Sequence, residues 1–372
     1  MTNSTRVSLR PPLSSSPSAF VGTMIAVVVC IVAFLFFDLS LAAIDRRESD
    51  AHAADAYARG VTLLGSGKAA AALEEFRTAI AIDRSNLKYA LALSQAQLDA
   101  GDAAAAESTL KVLLIRTEND GAVNLTMAHV MVHEGRANDA KAYFHRAVYG
   151  RWGLDSVRRR ADARFELIDL LAKHGTPTEL LAELLPLEDV SVDSVALRLH
   201  LGKLFLQAGS PARAVTMFRG ILDRDADNAD AFAGMGQAAL ALGNFHTARN
   251  DFSRASRLRP NDSELSAQVA LADTVLALDP TSTGIDRQER VDRGRRLVTR
   301  TLAALASCGE ANAPGSDSAR ALVVRKPGPH ASGTFDDTLV DAAAALWAAR
   351  SSRCDRSIHD EPLRLVQRHL VP

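Results

Sequence analysis

The sequence predicts an all-α protein: an α-solenoid of about six helix-turn-helix units, with one N-terminal transmembrane helix and a C-terminal helical extension. A glycine recurs at steps of 34, 34, 40, 34 and 34 residues, and apolar residues between these glycines recur every three or four positions, as on one helix face. Near the N-terminus, 19 consecutive residues carry no charge. The recurring glycines are Gly67, Gly101, Gly135, Gly175, Gly209 and Gly243.

The clearest unit runs from Ala229 to Asp262. Its first helix is expected to end at Gly243, because glycine tolerates the positive φ of a tight turn. Its second helix is expected to end before Pro260, which has no backbone N–H to donate. Small residues let the two backbones approach closely, while Phe232 and Phe252 fill the remaining volume. Such a unit leaves one apolar face uncovered, so neighbouring units are needed to bury it.

The other units keep the same register. Five residues after each glycine stands a small or apolar residue, and nine after it a large one. The first set is Ala72, Ala106, Ala140, Leu180, Ala214 and Ala248, and the second is Phe76, Leu110, Phe144, Leu184, Phe218 and Phe252. This period and alternation resemble the tetratricopeptide repeat (TPR), and the resemblance covers Ala53 to about Leu278.

The spacing divides the repeat region into two blocks. Three units are predicted over 53–154, an insertion over 155–160, and three further units with a capping helix over 161–278. The insertion explains the 40-residue step and is expected to form a lengthened loop or extra turn. Pro186 is expected to shorten the second helix of the fourth unit. Ser263 to Leu278 is predicted to be a first helix without a partner that caps the array.

The N-terminus is predicted to anchor the chain in a membrane. Residues 1–18 read as a disordered cytoplasmic tail, and 19–44 as a transmembrane signal anchor and joint. At about 1.5 Å per residue, Ala19 to Phe37 reaches the ~30 Å of a bilayer core. A cleavable signal peptide is the alternative, since Ser40-Leu41-Ala42 fits a cleavage site. Positive charge precedes the apolar run, so the rest of the chain is expected on the periplasmic side of a bacterial inner membrane.

Residues 285–372 are predicted to form a C-terminal helical region with no recognised resemblance. Helices are expected over Asp286 to Ala306, Asp336 to Arg350 and Glu361 to Leu370. Residues 309–335 are rich in Pro, Gly and Ser and are expected to form a loose loop.

Two cysteines flank this loop and are predicted to pair. Folding the helices back antiparallel would bring Cys308 and Cys354 to one end, and an exported compartment favours oxidation. Two free thiols are the alternative, because sequence alone fixes pairing poorly.

The resemblance implies that the first helix of each unit lines a binding groove. Chaperone-adaptor members hold a C-terminal carboxylate there with a Lys/Asn set that this sequence lacks, so a helix or extended segment with apolar anchors is the expected ligand. Several of the leucines could instead pack within the array. The groove residues that the resemblance implies are Tyr57, Lys88, Leu91, Gln95, Asp99, Leu125, His129, His133, Phe165, Asp169, Lys173, Lys203, Gln207 and Gln237.

The sequence offers little support for catalysis. His129 and His133 share a helix face and could hold a metal, but the Glu of a His-Glu-x-x-His motif is absent and no third ligand is evident. The formal net charge is -1, and acids interleave the arginine-rich stretches, which favours salt-bridged surfaces over nucleic-acid binding. No catalytic site, metal, cofactor or small-molecule substrate is predicted, and the chain is expected not to be an enzyme.

These observations predict a membrane-anchored TPR scaffold, adaptor or assembly factor that binds protein partners, a membrane complex among them. The alternative is an accessory structural subunit of a membrane complex that contacts it through the C-terminal region.

Overall fold

The computed structural model describes residues 17–153, 155–188, 194–326, 334–354 and 360–370, and the regular structure in these ranges is helical. The chain divides into two compact units after Glu166.

The helices follow one another in pairs along most of the chain. In order they are α1 (Pro17–Gly65), α2 (Ala69–Ile82), α3 (Leu87–Asp99), α4 (Ala103–Arg116), α5 (Gly121–His133), α6 (Ala137–Tyr149), α7 (Ser156–His174), α8 (Pro177–Leu184), a 3-10 turn (Leu185–Leu187), α9 (Val195–Gln207), α10 (Pro211–Leu222), α11 (Ala229–Ala241), α12 (Phe245–Leu258), α13 (Ser263–Leu278), α14 (Arg287–Ala306), α15 (Ser316–Val324), α16 (Thr334–Arg353) and α17 (Glu361–Leu370).

The apolar run, the charged joint and the first helix of the first repeat form one continuous helix, α1, of 49 residues. No Gly or Pro lies between Met24 and Arg59 to interrupt it, so the joint is helical rather than a break. Part of this helix is long and apolar enough to cross a membrane, and its apolar side chains are exposed, with Phe34 at 72% and Phe36 at 73%. Residues 1–16 of the predicted tail lie outside the described residues.

The predicted core register is confirmed. The large residue of every unit is buried, with no more than 2% of its surface exposed, and so is the small or apolar one. The phenyl rings fill the space left by glycines on the facing first helix: an added Cβ at Gly236 would lie 2.6 Å from the Phe252 ring, and one at Gly202 would lie 2.5 Å from Phe218. The close packing of the helix pairs therefore depends on this alternation of large and small residues.

The predicted turns are confirmed at five of the six recurring glycines. Gly67, Gly101, Gly135, Gly209 and Gly243 have φ between 70° and 83°. The exception is Gly175, where the next helix starts with a capping box between Thr176 and Glu179 and with Pro177 in its first turn.

The irregular fourth unit follows its prolines and its insertion. The second helix, α8, ends at Leu184, and Pro186 lies in the 3-10 turn that follows. Residues 156–160 of the insertion form an additional amino-terminal turn of α7, a helix that contains the boundary between the two units.

The predicted loop over 309–335 is wrong in part, because α15 lies inside it. The helix starts after Gly315, whose φ is 87°, and Ala319 is buried with Leu322 and Val323 packed beside it. Apolar spacing of three and four residues outweighed the local Pro, Gly and Ser content. Residues 327–333 of that segment lie outside the described residues.

The capping prediction for α13 also needs correction. This helix has partners beyond α12, because α14 and α17 pack against it, and one apolar core continues from Phe252 through Val275 to Leu346 and Leu363. The repeats of the second unit and the C-terminal helices therefore share one core. The arginines of α14 pair as expected for a salt-bridged surface: Arg293 and Arg296 contact Glu289 at 2.7 and 2.9 Å.

Candidate functional site

A cleft of about 490 Å³ opens on the first unit, on the face formed by the first helices of its repeats. The end of α1, helices α3 and α5, the segment before α7 and the start of α7 surround it. Six of the predicted groove residues lie here: Tyr57, Lys88, Leu91, Gln95, Leu125 and His129. The remaining lining residues are Ala92, Ala122, Thr126, Trp152, Arg159, Asp162 and Glu166. We call this site the first-unit cleft.

The middle of the first-unit cleft is lined by the same positions of two helices, α3 and α5. Residues three and four apart lie on one helix face, so positions 2, 5, 6 and 9 of α3 and of α5 present matching rows. Capping side chains fix where these rows begin: Asn86 accepts from the Lys88 N–H at 3.1 Å, and Asp120 accepts from the Ala122 N–H at 2.9 Å. The matching pairs are Lys88 with Ala122, Leu91 with Leu125, Ala92 with Thr126, and Gln95 with His129.

One end of the cleft is aromatic. Tyr57 lies between the rings of Tyr89 and Phe76, with centroids 5.3 and 5.8 Å away. The Nζ of Lys88 sits 4.4 Å from the centre of the Tyr57 ring, a cation–π contact that holds the ammonium at the cleft edge. Lys88 itself stays exposed.

The segment before α7 adds Trp152 to the cleft wall. Its indole N–H donates to the Ala147 carbonyl at 2.8 Å, and its ring fills the space beside Gly121, where a Cβ would overlap it. Two backbone bonds hold the neighbouring residue in place: Arg151 N–H to Asn119 O at 2.7 Å, and Gly121 N–H to Arg151 O at 2.8 Å. Trp152 is half-buried, so one part of the indole is fixed and the rest faces the cleft.

The other end of the cleft is polar. The Nε2 of His129 lies 2.5 Å from Oε2 of Glu166, and its ring meets Phe144 edge-on at 5.8 Å. The metal hypothesis gains no support here: His133 is exposed, and the described residues include no group of three potential His, Cys, Asp or Glu ligands. Arg159 and Asp162 are exposed at the rim, so both charge signs are available to a ligand.

Three further predicted residues of the first unit lie outside the cleft lining. Asp99 is exposed and accepts a bond from Gln95 Nε2 at 2.8 Å, which orients the Gln95 amide. His133 is exposed on the last turn of α5, and Phe165 is half-buried on α7.

The predicted residues of the second unit do not form one site. Asp169 lies 3.5 Å from His200, Gln207 donates to the carbonyl of Ala172, and Lys173 and Lys203 are exposed. Gln237 lines a separate cleft of about 330 Å³, together with residues of α13 and α17.

The sequence analysis did not identify Trp152, Arg159, Asp162 or Glu166 as cleft residues. The extra residues before the fourth unit interrupt the 34-residue phase, so the repeat spacing does not place Trp152 or Arg159. Glu166 could have been found, because it is the sixth residue of the fourth unit, the position of Ala92 and Thr126 in the earlier ones.

The fold and this cleft define a helical repeat protein with a ligand-accessible face on its first helices. The family model for the tetratricopeptide repeat matches residues 63–130 and 205–272. Two segments of the chain, one in each unit, therefore match the tetratricopeptide repeat. TPR domains are scaffolds for protein–protein interaction.

Several solved structures, among them two described as TPR proteins, resemble the chain at low identity. YrrB, described as a TPR protein with an unusual peptide-binding site, is 17% identical, with 52% of this chain and 96% of that one covered and a TM-score of 0.42. PilF of Pseudomonas aeruginosa is 16% identical, with 61% and 99% covered and a TM-score of 0.41. The C-terminal part of a TPR repeat-containing protein from Cytophaga hutchinsonii is 9% identical, with 83% and 99% covered and a TM-score of 0.42. No curated protein sequence matches the chain.

Proposed function

We propose that this protein is a membrane-anchored, non-catalytic TPR scaffold, an adaptor or assembly factor that holds a protein partner in the first-unit cleft on the periplasmic side of a bacterial inner membrane. The observation that carries this proposal is the cleft itself, because six of the groove residues that the resemblance implies line one open face. A face built from repeated helix positions offers a partner regularly spaced contacts along its length.

The chemistry of the cleft supports a peptide segment or helix as its ligand. Leu91 and Leu125 are half-buried on neighbouring helices and offer two apolar contacts in a row. Tyr57 and Trp152 are rigid aromatic side chains of the kind that dominate binding energy at protein interfaces. A partner segment with alternate apolar side chains would bury those side chains against Leu91 and Leu125. An acidic residue next to them would pair with Lys88.

The membrane part of the proposal is supported by α1. Its apolar residues are exposed around the whole helix, from Met24 to Ile44, whereas a core helix would bury them. Burying this surface in a bilayer would remove it from water, and its length exceeds the roughly 20 residues needed to span one. The first repeat would then follow the membrane anchor without a break in the helix.

The outer location is supported by the cysteines. Cys308 and Cys354 lie with their Sγ atoms in contact and their Cα atoms 5.7 Å apart, inside the usual range for a disulfide. A disulfide persists in an oxidising compartment and is rare in the cytosol. The proposal therefore includes a disulfide between Cys308 and Cys354.

Site-specific photocrosslinking in native membranes tests partner capture. A photoreactive residue at Leu91 or Leu125 should give the same protein adduct, identified by mass spectrometry. The control position is Ile115 on α4, which is 84% exposed and outside the cleft. An adduct of equal yield from Ile115, or none from either leucine, would contradict the proposal.

Reporter fusions test the orientation. A reporter active only in the cytoplasm should be silent when fused after Pro372 and active when fused at the N-terminus. Activity of the C-terminal fusion would place the repeats in the cytoplasm.

A further inference from the structure

Helix α1, the proposed membrane anchor, carries a charged residue inside its apolar stretch. Asp38 is the first charged residue of the helix; two phenylalanines precede it, and Leu39 and Leu41 follow it. The next charged residue, Asp45, comes seven positions later, about 10 Å along the helix axis. Apolar surface therefore continues on both sides of the Asp38 carboxylate.

Helix α1 offers no cation to Asp38. Side chains three and four positions apart are neighbours on a helix. Those positions hold Phe34, Leu35, Leu41 and Ala42. Arg46 is eight positions away, about 12 Å along the axis. Asp38 is exposed and has no ion pair or side-chain hydrogen bond among the described residues.

Asp38 lies at one end of a shallow groove of about 450 Å³ that runs along α1. Two rows of residues at four-residue spacing line it: Ala26, Cys30, Phe34 and Asp38 in one, and Val27, Ile31 and Leu35 in the other. Ala26 and Cys30 are small, so the backbone of a second helix can approach α1 closely beside them. We call this side of α1 the Asp38 face.

The Asp38 face differs from the other sides of the apolar stretch, which carry no charge between Met24 and Ile44. Lipid tails are as apolar as these side chains, so an uncharged side gains little by exchanging lipid for a second helix. A carboxylate at membrane depth is costly without a partner. The Asp38 face is therefore the side of α1 that gains most from contact with another protein.

Charge complementarity favours a basic partner over a second copy of this chain. Asp45 lies two helix turns beyond Asp38 on the same side, so the face carries two carboxylates at its end near the repeats. A parallel, symmetric pair of identical helices would bring Asp38 opposite Asp38. Like charges at that position repel, whereas an Arg or Lys of a different helix would neutralise Asp38.

From these observations we infer that the Asp38 face binds a transmembrane helix of another membrane protein, and that this helix carries an Arg or Lys at the depth of Asp38. The contact makes α1 a recognition element as well as an anchor. The inference rests on the membrane part of the proposed function and is independent of partner capture in the first-unit cleft.

Two equally exposed phenylalanines provide matched positions for photocrosslinking in native membranes. Phe34 lies on the Asp38 face, and Phe36 lies on the opposite side of the helix. A photoreactive residue at Phe34 of the full-length chain should give an adduct with a membrane protein. Mass spectrometry should locate the linkage in an apolar segment that contains an Arg or Lys. The same residue at Phe36 should give at least about tenfold less of this adduct.

Variants of Asp38 separate the effect of its charge from that of its shape. Asp38→Asn has nearly the same size without the charge and should reduce the Phe34 adduct by at least about tenfold. Asp38→Glu keeps the charge and should retain most of the adduct. Asp38→Arg should abolish it, and exchanging the partner's basic residue for Asp should restore it.

Carbonate extraction distinguishes failure of the anchor from failure of the recognition face. Release of the unmodified protein by carbonate would contradict the membrane anchor and this inference with it. If the protein stays in the membrane, three results would contradict the inference alone. They are no protein adduct from Phe34, an adduct in a segment without Arg or Lys, and an unchanged adduct with Asp38→Asn.

A second copy of the chain is the remaining alternative occupant. Mild oxidation of native membranes should give no Cys30–Cys30 crosslink between two copies, although Cys30 lies on the Asp38 face. Such a crosslink, or a Phe34 adduct between two copies, would assign the face to self-association and contradict the inference.

Discussion

The two units present the same kind of repeat face, but different segments of the chain lie beside it. In the first unit, the sixth and ninth positions of α3 and α5 line an open cleft with Trp152 at its wall. In the second, the same positions of α13 lie beside α17. The repeat register decides which face of the helices can take a ligand, and the segments outside the repeats decide what borders that face.

This difference assigns separate roles to the non-repeat segments. The segment before α7 extends the binding face, because it adds the indole of Trp152, which Ala147 and Gly121 hold in position. The C-terminal helix borders the corresponding face of the second unit with its polar side. Partner capture is therefore expected at the first-unit cleft.

The largest expected effect tests whether both units have the same kind of core. Phe76→Ala and Phe252→Ala each empty a fully buried site, and each should cost about 3 to 5 kcal/mol of unfolding free energy. Ile115→Ala, on an exposed position, should cost little. Thermal and denaturant unfolding measure all three. A large loss for Phe252 and a small one for Phe76 would mean that the first unit is packed differently.

The predicted disulfide between Cys308 and Cys354 lies in the second unit, so its removal should lower the stability of that unit. Its cysteines are 46 residues apart, and closing a loop of that length stabilises the folded state by about 4 kcal/mol in the chain-entropy model, an upper figure for a real bond. Cys308→Ser with Cys354→Ser should lower the melting temperature, and Cys30→Ser should not. Thiol counting on denatured protein from native membranes should find only Cys30 free. Three free thiols would rule out the pairing.

A smaller, pH-dependent effect is expected in α12 of the second unit. Burial of the Asp251 carboxyl raises its pKa to about 6, and nearby Arg254 offsets this only in part. The unfolded pKa is about 3.9, so the folded state binds the proton more tightly and stability falls as pH rises from about 4 to about 6. The full shift would correspond to about 3 kcal/mol, which solvent screening of this half-buried group reduces to about 1 kcal/mol.

Asp251→Asn should remove that fall. Between pH 4 and 7, the unfolding free energy of the wild-type protein should therefore fall while that of the variant stays constant. The difference between the two proteins at pH 4 is the offset caused by the substitution itself, and relative to it the variant should be more stable near neutrality. Parallel curves across this range would show that Asp251 keeps an ordinary pKa.

The sequence was sufficient for the parts of the fold that repeat. Register alone located the buried aromatic residues such as Phe218 and the turns such as Gly101, because each is required again in every unit. The resemblance to the repeat family pointed to the middle of the first-unit cleft, including Leu91 and Leu125, and these positions lie together because they share one helix face.

The remainder depends on contacts that register does not encode. The amphipathic pattern of α17 shows that one face must be buried, but it does not show that α14 and α16 contact that face. The insertion hides Arg159 by breaking the phase, and Glu166 pairs with a histidine 37 residues earlier. Helix α15 was missed because Gly and Pro around it suggested a loop, although its apolar spacing is helical.

Co-purification with cleft variants of the partner that crosslinking identified tests the central proposal most directly. The double variant Leu91→Asp with Leu125→Asp removes two apolar contacts worth roughly 1 to 2 kcal/mol each, so it should reduce partner recovery from native membranes by at least about tenfold. Ile115→Asp is the matched control, and circular dichroism checks that each variant is folded. Full recovery of the partner by a folded double variant would contradict capture in the first-unit cleft.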